Sequence, residues 1–136
     1  MNPELHLRIA GAIQIALVLL HFVFPQRFDW REELARLSLL NRQIFHVHTI
    51  FICLVMVLLG ALSLCAPEAL LEPTRLSRLV LDGIVVFWAA RLVFQWFVYD
   101  VSLWRGQTFN TVMHGVFTVI WIYLTGVYAL VRYAQT

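Results

Sequence analysis

Apolar residues gather in four long runs, about Leu5 to Phe24, Ile44 to Ala66, Leu79 to Tyr99 and Phe109 to Tyr133, with most charged residues between them or near their ends. Each run is close to the roughly 20 residues that an α-helix needs to cross about 30 Å of hydrocarbon. The pattern predicts an all-α integral membrane chain: four transmembrane helices in an up-down-up-down bundle, a single domain over residues 1–136. Pro25 is expected to stop the first helix and Pro67 the second, because proline lacks the N–H that a continuing helix uses.

The stretch between the first two runs is different in kind. Asp29 followed by Glu32 reads as a helix cap, and Trp30, Leu34, Leu37 and Asn41 recur at helical spacing. Arg31, Glu32, Glu33 and Arg36 cover much of the opposite face, the build of an amphipathic interfacial helix over about residues 29–42. Such a helix lies in the headgroup region, a shelf beside the ends of the first two spans. In the other connections, Arg78 and Asp82 stand i,i+4 and are expected to pair, and Tyr99 and Trp104 suit an interfacial aromatic belt. Gly11, Gly60, Gly115 and Gly126 are expected to let helices approach closely.

Composition sharpens the class. Of 136 residues, 61% are hydrophobic and 13% charged, and the mean hydropathy is +0.78. A soluble domain carries about twice that charge, and the short connections leave no room for a soluble catalytic domain. The first run lacks a small-residue cleavage pattern and reads as a retained helix rather than a secretory signal. Cys53 and Cys65 are separated by about 18 Å along one helix, too far for a disulfide. The net charge of +2 arises from ten arginines against eight acids, with no lysine. This excess is too small to point to nucleic acid, and the expected location is a bacterial-type inner membrane.

Four spans place Arg8, Arg75, Arg78 and Arg132 on the side of the termini and Arg27, Arg31, Arg36, Arg42 and Arg105 on the side of the shelf, which leaves the orientation undecided. On the shelf side the polar residues draw together. At 1.5 Å per residue, His21, His48 and Gln95 lie about 5 to 6 Å inside the boundary, His114 about 8 Å and Arg91 about 12 Å. Trp88, Arg91, Gln95 and Tyr99 share one face of the third helix; Asn110, His114, Thr118, Trp121 and Thr125 share one face of the fourth. His46 points away from His48, and His6 lies near the opposite boundary.

Three readings follow from this constellation. A pocket for a quinone, a lipid or another amphipathic molecule would use Arg91 for an anionic or carbonyl group. His21, His48, Gln95, Tyr99, Asn110 and His114 would supply hydrogen bonds, with Trp88, Phe94, Phe117 and Trp121 as walls. A cofactor site would use His48 and His114 as axial ligands of a b-type haem, or His21, His48 and His114 as three nitrogens on a transition metal. Thirdly, interhelical hydrogen bonds would fix the bundle of a scaffold or accessory subunit in a larger membrane complex, or of a homo-oligomer. The pattern does not decide whether the protein is an enzyme. It contains no nucleotide loop, Ser-His-Asp set or zinc-ribbon cysteine pattern.

Overall fold

The computed structural model describes residues 2–27, 29–100, 102 and 106–136. Among these, 87% are helical and none lies in a strand. The helices are α1 (Pro3–Arg27), α2 (Trp30–Ala35), α3 (Leu39–Cys65), α4 (Pro67–Leu71), α5 (Arg75–Phe97) and α6 (Thr108–Tyr133). Three of them, α1, α3 and α6, are long and apolar enough to cross a membrane, which suggests a multi-pass membrane protein. The third predicted span corresponds to α5, 23 residues long, which carries Arg75, Arg78, Asp82, Arg91 and Gln95. Trp104 and Arg105, expected in the link before α6, lie outside the described residues.

The chain divides into two compact units, Met1–Leu7 with Pro67–Thr136, and Arg8–Ala66. In the first, Ser77, Leu81, Ile84, Trp88 and Gln95 form the buried stripe of α5, and Trp121, Leu124, Val127, Tyr128 and Val131 that of α6. Intervals mostly of three, four and seven residues keep each set on one helix face. Gln135 pins the end of α6: its Nε2 donates to the Leu70 carbonyl at 2.6 Å, and its Oε1 accepts from the Ser77 hydroxyl at 3.2 Å.

In the second unit the helices meet through glycine. A Cβ on Gly11 would stand 2.7 Å from the Gly60 carbonyl oxygen, so α1 and α3 approach backbone to backbone at a distance that no other residue tolerates. Arg8 donates to the Leu64 carbonyl at 2.8 Å, one turn along the same crossing. Gly115 and Gly126 do not share this role: a Cβ at either position would meet nothing within 4 Å. Their spacing resembled a contact face, but no neighbouring helix comes close enough to need them.

Several local expectations are corrected. Pro25 does not stop α1, which continues to Arg27. In the last turn a proline forfeits one backbone bond only, and little helix remains to be broken. The helix expected over residues 29–42 is divided. Six residues form α2; the chain then turns, and Ser38 caps α3 by accepting the Asn41 N–H at 3.4 Å. A serine cap in competition with helix continuation ends one helix and starts the next. Asp29 stands in the left-handed region with φ 48° and makes no side-chain cap; its carbonyl accepts from the Glu32 and Glu33 N–H groups instead. The link after Pro67 holds the short helix α4, which the sequence reading passed over. Asp82 pairs not with Arg78 but with Arg132 of α6 at 2.8 Å, while Arg78 reaches back to the Pro73 carbonyl at 3.5 Å.

Candidate functional site

The polar face of α5 arises from its periodicity: Trp88, Arg91 and Gln95 follow one another at three- and four-residue steps, so a single helix face presents all three. Arg91 Nη1 donates to Gln95 Oε1 at 3.2 Å, one turn along the helix. Gln95, 5% exposed, then crosses to α6, its Nε2 standing 2.8 Å from Nδ1 of His114. Arg91, Gln95 and His114 thus form a continuous chain of hydrogen bonds between two helices.

Aromatic rings support this chain. Trp88 and Trp121 stack with centroids 5.2 Å apart and planes 14° from parallel, and Phe117 stacks on Trp121 at 5.7 Å. The Arg91 guanidinium lies 4.9 Å from the centre of the Trp121 ring and 5.6 Å from that of Tyr99. A cation over the negative face of an indole is stabilised, the more so when water is excluded. Both indoles are nearly buried, Trp88 at 1% and Trp121 at 5% exposure, and their Nε1–H groups have no acceptor among the described residues. Since buried donors generally find partners, two orphans at one stack are unusual. Of the wall residues expected, Phe94 is 54% exposed and turns away from the stack.

Asn110 donates to the side chain of Gln107, the residue that precedes α6. Tyr99 contributes its ring to Arg91. Asp100 does not reach Arg91; its Oδ1 accepts the Ser102 N–H at 2.8 Å, which holds its carboxyl below the ordinary aspartate value. Among the described residues Arg91 is paired with no carboxylate: its partners are an amide and two rings. The hydroxyls of Thr118 and Thr125 return to the His114 and Trp121 carbonyls of their own helix, as Ser63 does to Leu59.

The remaining histidines differ in partner. In the second unit, His21 donates from Nδ1–H to the Leu17 carbonyl and His48 to that of Ile44, each at 2.8 Å and each within its own helix. His46 packs on neighbouring Phe45 with ring centres 6.0 Å apart. In the first unit, His6 Nδ1 lies 3.0 Å from the Tyr123 hydroxyl of α6. A separation of 117 positions in the sequence carries no spacing signal for that contact. Among the described residues no group of three or more His, Cys, Asp and Glu side chains is placed to hold a metal ion.

Fold and site together define a class, an all-helical protein with three membrane-length apolar helices and a part-buried Arg–Gln–His chain beside stacked indoles. Comparison with known proteins takes the assignment no further: no family model, curated protein or solved structure matches the chain.

Proposed function

We propose that α1, α3, α5 and α6 all span the bilayer, up, down, up and down, and that the face of α5 and α6 bearing Arg91, Gln95 and His114 binds a small amphipathic ligand, a quinone or a lipid, near one leaflet. One observation carries this reading: Arg91 lies in the second half of α5 and, among the described residues, is partnered by neutral groups alone. An arginine at the centre of a membrane helix costs about 2.5 to 3.5 kcal/mol, a cost tolerated where the charge does something. A ligand oxygen would supply what the chain does not. The half-exposed ring of Tyr99 gives the hydrophobic part of such a molecule an aromatic surface.

Ligand-dependent thermal unfolding in detergent tests the proposal. A ligand present at about 100 times its Kd stabilises the native state by about 2.7 kcal/mol. Added ubiquinone or phospholipid is expected to raise the unfolding temperature of the unaltered chain and to leave that of Arg91→Leu where it was. If neither compound moves the unaltered chain, the binding reading fails. The scaffold reading, in which the Gln95–His114 bond only ties α5 to α6, would then take its place.

A cofactor is the second reading, and it rests on His21 and His48. A carbonyl that holds Nδ1–H fixes the tautomer whose Nε2 offers a lone pair, the form in which imidazole ligates iron or another transition metal. An absorption spectrum with elemental analysis decides: a haem band or stoichiometric metal, lost in His48→Ala, would favour it over the amphiphile.

A further inference from the structure

Arginine has five N–H donors and no acceptor. The Gln95 atom facing Arg91 must therefore be the carbonyl Oε1, because turning the amide over would set its NH2 against the guanidinium. Once Oε1 is committed to Arg91, Nε2 faces His114. An amide NH2 only donates, so Nδ1 of His114 accepts and carries no proton. The imidazole is consequently neutral, with its proton on Nε2. The chain runs in one direction, from a permanent cation to a neutral ring, and the site holds one positive charge rather than two.

Its hydrogen-bonding capacity is equally one-sided. The Gln95 carbonyl and His114 Nδ1, the acceptors of the chain, are both in use. What remains on Arg91 is donors. An ammonium headgroup would bring only donors and a second positive charge, and an alcohol oxygen would accept a bond without compensating the guanidinium charge. A neutral carbonyl would accept a bond but leave the guanidinium charge uncompensated. Only an anionic oxygen group answers both conditions, and Arg binds such groups through its planar fork.

We infer that the ligand of this face is an acidic amphiphile, an acyl chain ending in a carboxylate or phosphate, held through Arg91 with Gln95 fixing the orientation. The inference rests on the binding reading above and narrows its ligand class. Native mass spectrometry of the full chain in neutral detergent tests it, with oleic acid, methyl oleate, a phosphatidic acid and a ubiquinone analogue added in turn. Oleic acid or phosphatidic acid is expected to saturate at one molecule per chain, at a concentration at least tenfold below that needed for methyl oleate. An adduct with oleic acid alone would identify a free fatty acid as the source, and one with phosphatidic acid alone a phospholipid headgroup; either supports the inference.

Arg91→Lys is expected to keep the preference for acid over ester and Arg91→Gln to lose it. The acid-to-ester comparison on the unaltered chain requires no variant to fold. Nitrogen-15 spectra of His114 supply a readout independent of binding, with Nδ1 unprotonated and Nε2 protonated. Ester or quinone binding as tightly as the acids would overturn the inference and leave the binding reading standing. If no amphiphile binds, both fall. A His114 doubly protonated, or protonated on Nδ1, would overturn the single-charge argument on its own.

Discussion

Histidines on apolar helices have two fates in this protein. In Arg8–Ala66, His21 and His48 turn back onto carbonyls of their own helices; in the unit of Met1–Leu7 with Pro67–Thr136, His6 and His114 bond to side chains of another element. Packing divides in the same way. Two glycines let α1 and α3 touch backbone to backbone, whereas α5 and α6 are held apart by stacked indoles and a glutamine that bridges them. A polar residue satisfied by its own helix leaves that helix self-sufficient. One that can be satisfied only across helices creates a place where a third group can enter, and that difference, more than the number of histidines, marks a candidate site.

The widest separation between the two modes should appear at Trp121. Replacing it by Ala removes the ring that Trp88, Phe117 and Arg91 all contact, and is expected to cost about 3 kcal/mol, the lower end for a buried Trp→Ala change. Trp96, on the same α5 but 53% exposed, should tolerate the same change within about 0.5 kcal/mol. Thermal unfolding in detergent, followed by circular dichroism, measures both. Equal losses would mean that the stack does not organise its unit.

Glycine gives the next contrast. Gly11→Leu forces a side chain into the Gly60 carbonyl and the Leu64 side chain, and overpacking of this kind costs about 1 to 3 kcal/mol. Gly115→Leu enters open space and should change stability by less than about 0.5 kcal/mol, with a slight gain where helix propensity dominates. The same unfolding measurement checks the pair. A Gly11→Leu chain as stable as the original would remove the backbone contact as the basis of the second unit.

The limits of sequence reading follow the same division. Helix periodicity located all four long helices to within a few residues of their ends, because apolar spacing is a local property. It also placed Trp88, Arg91 and Gln95 on one face. What it missed is relational. The Arg78 and Asp82 spacing was correct for an ion pair, but Arg132, 50 residues beyond Asp82, competed for the same carboxylate. Four glycines looked alike, yet only the two that face each other carry contact. Ser38 decided the fate of α2 because a cap competes with continuation, and helix spacing alone does not weigh that competition. His6 was assigned nothing more than a boundary position, and its partner Tyr123 lies at the other end of the chain.

The most delicate test compares one polar group from each mode. Gln95→Leu takes away the hydrogen-bond acceptor of Arg91 and the donor to His114 Nδ1, severing the chain at its centre while keeping the side chain's bulk. Interhelical hydrogen bonds within membranes are worth about 0.6 kcal/mol on average and up to about 1.7. The upper end is expected here, because the substitution removes two hydrogen bonds at once, both centred on a buried glutamine. His48→Leu removes a bond to its own helix only, at an exposed position, and should leave stability within about 0.5 kcal/mol of the original. Sharper still is the prediction that Gln95→Leu frees the His114 ring from its fixed tautomer, so that its nitrogen-15 signals move while those of His21 and His48, each held by a carbonyl one turn back, do not. If the His48 replacement proves the more damaging, then local satisfaction is not the quiet arrangement argued here, and His48 has a role that its own helix does not explain.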